Sequence, residues 1–320
     1  VGGGSYDRDV YPSSRSSGGF AFSDASARAV GSSYASSDLL PKNRVLSCDH
    51  KNPVVINLDV TGSMGNWART IYDKMPMFFG QIVQQGYLPD LSISFAANGD
   101  AYSDRYPIQV CDFAEGTALD ADLAKIFIEG NGGGNHHESY ELMAWLYANK
   151  CKIPKDAVPF FFFLADEGVY DTVDSDQVQS LFGVSVSGQV TAKAVFAKLL
   201  KKFKGNVFLV HKNYYDDANS PTNKEIVAQW EDLIGSDHVL VLQDPKAVVD
   251  VMLGAIAVSS GTRDLSEYAT DMEERGQDAK RVKQVTATLE SVKTNPLVVD
   301  TTDLLPDGPA LKRAAGTKKI

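Results

Sequence analysis

Asp59, Thr61 and Ser63 stand on alternate residues of Asp59-Val60-Thr61-Gly62-Ser63-Met64, directly after the apolar run Val54-Val55-Ile56-Asn57-Leu58. Alternation sets one carboxylate and two hydroxyls on the same side of a chain leaving a buried strand. Oxygen donors of this kind suit a hard divalent cation: Mg²⁺ takes six oxygens at about 2.0–2.1 Å, keeps several waters and needs one or two carboxylates from the protein. Hydroxyl ligands leave such an ion with surplus positive charge, so an open position on it can accept an acidic side chain from another molecule. The competing reading of the turn is a helix N-cap, with Thr61 or Ser63 capping the helix that follows. Two facts favour the ion. Asp166 ends another apolar run, 158–165, and the glycine loop Gly132-Gly133-Gly134-Asn135 lies between the two acidic positions.

Other chemistries lack parts. A doubly wound phosphatase wants a second Asp two residues after Asp59, where Thr61 stands. No GxxxxGK[ST] phosphate loop and no GxSxG elbow occur, and the glycines at 132–134 do not follow a strand. Hydrolysis by ion-activated water would have only Glu138 or Glu167 to nominate as a base. His136 and His137 are sequence neighbours, a poor arrangement around one transition-metal ion, and are read as rim residues. Met64, Gly133, Gly134, Glu138 and Glu167 complete the rim that a partner would touch.

Strands and helices alternate through most of the chain. Apolar runs at 54–58, 91–95, 108–113, 158–165, 207–210 and 239–242 read as six strands. Helical patterns at 67–83, 119–128, 138–148, 192–203, 224–233 and 244–257 separate or follow them. The run at 158–165 shows no alternation, as expected of a central parallel strand covered on both faces. The pattern predicts a doubly wound α/β fold with a mostly parallel six-stranded sheet, the strand at 108–113 forming an antiparallel edge. Ligands of such sheets sit at the carboxyl ends of strands where the order reverses, and Asp59 and Asp166 each stand at such an end.

Outside this unit, residues 1–50 are rich in Ser and Gly with scattered Tyr and Phe, and read as an N-terminal arm. Residues 261–294 form a charged amphipathic helical segment, weakened at Gly276, that packs on its own domain or docks on a partner. Residues 295–320 read as a second extended arm. The domain proper is expected over 51–260.

The 320 residues carry 31 Lys and Arg against 41 Asp and Glu, a net charge of −10. That acidity gives nucleic acid no electrostatic footprint. No apolar run approaches the roughly 18 residues of a membrane span. Cys48, Cys111 and Cys151 form no CxxC pair, which suits a reducing compartment, and a cytoplasmic setting is expected. Val1 in place of Met keeps a removed signal peptide among the options.

With these residues in view, the chain resembles a von Willebrand factor type A (vWA) domain over about residues 53–257. The family's metal-ion-dependent adhesion site (MIDAS) carries a DxSxS loop, here DVTGSM, with Thr61 keeping the hydroxyl of the middle serine. A further metal-site aspartate of the family resembles Asp166 in Phe163-Leu164-Ala165-Asp166-Glu167-Gly168. The loop Gly132-Gly133-Gly134-Asn135-His136-His137-Glu138 resembles the GGGDxPE version of intracellular members, with Asn135 at the Asp position and no threonine ligand. The resemblance implies a Rossmann-like fold and a bound Mg²⁺, with Mn²⁺ or Ca²⁺ as alternatives, held by Asp59, Thr61, Ser63 and Asp166. Asn135 would reach the ion through its amide oxygen or a water. It implies a non-enzymatic scaffold or adaptor that binds a partner's acidic residue through the ion, within an assembly that includes an AAA+ ATPase or further copies of itself. The alternatives are a structural subunit that assembles through its arms around a vestigial metal site, and a metal-dependent hydrolase.

Overall fold

The computed structural model describes residues 35–295 apart from 131–133. The N-terminal arm is therefore described only from residue 35. The C-terminal arm, apart from Asn295, and Gly132 and Gly133 of the glycine loop lie outside the described residues.

Within the described residues the main sheet has six strands: β1 (Asn52–Asp59), β2 (Leu91–Asn98), β3 (Ile108–Val110), β4 (Phe160–Ala165), β5 (Val207–Lys212) and β6 (Val239–Leu242). Their order is β6-β5-β4-β1-β2-β3. All neighbours are parallel except β2 and β3, so the expected antiparallel edge is present. The chain winds outward from β1 to β3, then returns to β4 and winds the other way to β6. The order thus reverses between β1 and β4, and their carboxyl ends frame the crevice where ligands of doubly wound sheets bind. This is a Rossmann-like α/β architecture with the vWA type of fold.

Helices cover both faces: α1 (Asn66–Gln85), α2 (Ala118–Lys125), α3 (Tyr140–Lys150), α4 (Ser175–Phe182), α5 (Ala192–Lys202), α6 (Pro221–Ile234), α7 (Val248–Ser259), α8 (Leu265–Glu274) and α9 (Ala279–Leu289). The strand period of two divides β4 between two cores. Phe160 and Phe162 join α1, α7, α8 and α9 on one side, while Phe161 and Phe163 join α3, α5 and α6 on the other. Full burial of β1 and β4 leaves their carboxyl ends as the place where polar side chains can gather.

Three details depart from the sequence pattern. The helix expected over 119–128 stops at Lys125, because the Gln109 side chain bonds both backbone groups of Phe127 (2.8 and 2.9 Å) and holds that segment extended. Residues 170–191 contain α4 and a small strand pair, Thr172–Val173 with Val190–Thr191, that no periodicity announced. The segment 261–294 is two helices parted at Gly276, whose φ of +83° suits a residue without Cβ. Tyr268, Met272, Val282, Val285 and Leu289 bury against α7, so this segment packs on its own domain. No helix of the described residues is long and apolar enough to cross a membrane.

Candidate functional site at the switch point of the sheet

Asp59 closes β1 and is 1% exposed. Its Oδ1 accepts from the Thr61 amide (2.8 Å) and hydroxyl (2.5 Å), and its Oδ2 accepts from the Tyr140 hydroxyl at the start of α3. Thr61 Oγ1 lies 3.1 Å from Ser63 Oγ, and Ser63 Oγ donates to Asp166 Oδ1 at 2.9 Å. One hydrogen-bonded chain therefore joins the loop after β1 to the loop after β4, and brings Asp59, Thr61, Ser63 and Asp166 together. Neither hydroxyl caps a helix: Gly65 is the N-cap of α1, and the short turn Gly62–Met64 has no side-chain cap bond.

A fifth residue enters from β5. Lys212 ends that strand at 4% exposure, and its Nζ donates to Asp166 Oδ2 (3.1 Å) and to the Ser63 carbonyl (3.2 Å). The ammonium also lies 5.9 Å from the Trp67 ring centroid and 3.9 Å from Asp216. Sequence reading passed over Lys212, although it ends an apolar strand as Asp59 and Asp166 do. It missed Tyr140 as well, whose contact with Asp59 spans 81 residues of chain.

Asp59, Asp100, Glu138, Asp166 and Glu167 are all buried here, and among the described residues Lys212 is the one basic side chain paired with any of them. Carboxylates kept from water hold their protons. Burial and the Asp166 charge push Asp59 up to about 8. Burial, then the Asp59 charge, pushes Glu138 to about 12. Glu167 rises to about 7 through burial and Asp166. Asp166 is raised by burial against the opposing pull of Lys212.

The remaining expected residues divide. Asn135 is engaged away from the ion position: its amide oxygen accepts from the His137 amide in its own loop (3.1 Å) and its NH₂ donates to the Tyr170 hydroxyl (2.6 Å). Gly134 and His136 are exposed and His137 half-buried, as rim residues should be. Met64, Glu138 and Glu167 are not rim residues, with exposures of 1%, 1% and 7%. Met64 faces the apolar core beneath the turn, and the two glutamates lie inside the buried acidic cluster. Gly133 lies outside the described residues. His136 bonds the Tyr214 hydroxyl through Nδ1 (2.7 Å) and His137 Nδ1 lies 2.9 Å from the Asn135 carbonyl, so the pair does not converge on one ion. Among the described residues no group of three or more His, Cys, Asp or Glu side chains is arranged to hold a metal.

No protein-family model matches the chain. No curated protein matches it either. Solved structures of similar fold include the pilus adhesin SpaC from Lactobacillus rhamnosus GG in its open conformation, with a TM-score of 0.44 and 11% identity, covering 70% of this chain and 33% of SpaC. Proximal thread matrix protein 1 from the mussel byssus is similar at a TM-score of 0.42 and 9% identity over 66% of this chain and 48% of that one. A form of the byssal protein with a zinc-occupied MIDAS motif gives 0.41 and 10%. The chain spans a third to a half of the length of these structures. The cytoplasmic setting expected from cysteine usage is withdrawn: a pilus adhesin and a byssal thread matrix protein point away from it.

Proposed function

We propose that this chain is a non-enzymatic protein–protein interaction module of a structural assembly, in which Lys212 supplies the positive charge at the switch point and the surrounding rim makes the contacts. The observation that carries this reading is the buried Lys212 ammonium, 3.1 Å from Asp166 Oδ2, on the carboxylate that a MIDAS ion would use. An ammonium so placed neutralises Asp166 from within and ties three strand ends together. Opposing the hydrolytic alternative, Glu138 and Glu167 are buried at 1% and 7%, away from a substrate's water.

Chelation tests it. Thermal unfolding and self-association of the full chain are compared in EDTA and in excess Mg²⁺, with no difference expected. An ion present at 100 times its Kd would add about 2.7 kcal/mol of stability, a shift large enough to see. A rise of several degrees with Mg²⁺, or association that needs it, would overturn the internal-ammonium reading.

One specific observation favours a second reading, ion-bridged adhesion. The oxygen spacings of 3.1 Å (Thr61 to Ser63) and 2.9 Å (Ser63 to Asp166) match the edge of roughly 2.9 Å that an octahedron with bonds of about 2.0–2.1 Å would have. The donor types also fit a hard ion. On this reading Asp59, Thr61, Ser63 and Asp166 would hold Mg²⁺, Mn²⁺ or Ca²⁺, and the ion would supply a Lewis-acid position for a partner's carboxylate. Lys212 would then release Asp166, and Asn135 would take part only by leaving its own loop.

A further inference from the structure

The two ends of the sheet carry opposite charge. At the amino ends of the strands, α3 runs out at Lys150 and is followed by Lys152 and Lys155 before β4 begins. The last two turns of α5 add Lys198, Lys201 and Lys202, and Lys204 follows them before β5. The two helix ends touch. Lys202 Nζ donates to the carbonyls of Tyr147 (3.0 Å) and Cys151 (2.6 Å), and Lys198 Nζ donates to Asn149 Oδ1 (2.5 Å). Seven lysines therefore gather at this end, and Asp156 is the only acid among residues 147–157 and 194–206.

A cation at a helix C-terminus offsets the helix dipole, which accounts for Lys150, Lys201 and Lys202. It does not account for Lys152, Lys155 and Lys204, which lie beyond the helices. Among the described residues the side chains of Lys150, Lys152, Lys155, Lys201 and Lys204 make no ion pair and no hydrogen bond. Like charges gathered without counter-ions repel one another, a cost that a partner's carboxylates would remove.

The opposite end of the sheet is the switch-point rim. The loops after β4 and β5 place exposed Asp171, Asp176, Asp216, Asp217 and Glu225 there, with Lys224 the one base in residues 166–176 and 213–225. The exposed rings of Tyr102 (59%) and Tyr215 (75%) stand on the same rim. The six residues of β4, at about 3.3 Å each, hold the two ends roughly 20 Å apart and facing opposite ways, so they cannot meet within one molecule. Nor do the segments outside the described residues bring a net negative charge to the lysines. Residues 1–34 hold three Asp against three Arg, and residues 296–320 hold three Asp against four Lys and Arg. The chain's excess of acid lies in the folded domain itself.

We propose that the lysine-rich end is the docking surface for the acidic rim of a second copy of the chain, so that copies add head to tail. The two surfaces differ, so the contact is heterologous and repeats along a filament unless the rotation between copies closes a ring. Lysine stays hydrated where arginine would fork onto a carboxylate, so the contact is steered by charge and weakened by salt. This rests on the interaction-module reading and names its partner, but needs neither Lys212 nor an ion.

Sedimentation velocity of the full chain in EDTA tests it. The parent should form a concentration-dependent ladder of oligomers at about 0.01 M salt. Association should be about tenfold weaker at about 0.15 M, where charges more than about 8 Å apart are screened. Lys152→Glu combined with Lys155→Glu and Lys201→Glu should weaken association about tenfold or more, as should Asp171→Lys combined with Asp176→Lys and Glu225→Lys. An equal mixture of these two variants should form dimers and no longer chains. It keeps one intact pair of surfaces, the acidic rim of the first variant against the lysines of the second, and dimerisation also shows both to be folded. A parent that stays monomeric at low salt overturns the proposal, and so does a rim variant that associates like the parent. Loss in the rim variant alone, with the lysine variant unchanged, overturns it as well, because the rim would then be meeting some other surface. Reading the swaps in EDTA separates this result from the Lys212 reading, whose test is the dependence on Mg²⁺.

Discussion

Lys212 is where two accounts of this site part. Its ammonium, 4% exposed, faces an Asp166 side chain that is wholly buried. Removing one partner of a buried pair costs about 3–5 kcal/mol, because the charge left behind has neither water nor a counter-ion. Lys212→Met keeps the apolar stem and deletes the charge. It should lower unfolding stability by about that much in a urea titration near neutral pH, or oblige Asp166 to take up a proton at a smaller cost. Mg²⁺ should not repair the loss if the ammonium is the resident cation. Full restoration by Mg²⁺ would mean that the four oxygen donors are an ion site after all. Asp59, Thr61, Ser63 and Asp166 were legible in the sequence because each stands at or just past the end of a nearly continuous apolar run. Tyr140 and Lys212 were not: their partners lie 81 and 46 residues away, and only the winding of the sheet brings them together.

At the scale of elements the same distinction holds. The six strands and the antiparallel edge could be read because β1 and β4 are continuous apolar runs and β2 and β3 stand close enough in sequence to pair; the order of the strands could not. The split of the terminal amphipathic segment into α8 and α9 could be read only as a weakness at Gly276. Its docking could not, since it depends on how closely α7 lets other helices approach. Gly254 in α7 permits that approach: a Cβ there would lie 2.2 Å from Leu289 Cδ1 and 2.6 Å from Tyr268 Cε1. Tyr268 is a fixed part of the interface, its hydroxyl bonding the Asp250 carbonyl at 2.5 Å. Overpacking at such a contact costs about 1–3 kcal/mol. Gly254→Ala should therefore destabilise the chain by that amount in denaturant titrations despite alanine's better helix propensity. The damage should centre on α8 and α9, seen as faster amide exchange in both. Unchanged exchange there would mean that the two helices are not held by this contact.

For the molecule as a whole, covering β1 and β4 with helices on both faces has an electrostatic consequence. The site at their ends gathers carboxylates where water is scarce and, among the described residues, one ammonium must serve all of them. The folded protein therefore holds protons that the unfolded chain releases. Unfolded Asp and Glu titrate near about 3.9 and 4.3, whereas in the fold Glu167 is raised to about 7 and Asp59 to about 8. A raised carboxyl contributes stability that is fully present below the unfolded value and is lost as pH rises through the folded one. Stability measured in denaturant should thus fall steadily from about pH 5 to about pH 8 and then level as these two groups finish ionising. Because Asp166 raises both the Asp59 and the Glu167 values, Asp166→Asn should shift the upper end of that decline to more acidic pH. A stability profile flat from about pH 5 to about pH 8 without added metal would show that both carboxylates are already ionised in the fold. It would also show that something other than Lys212 balances their charge.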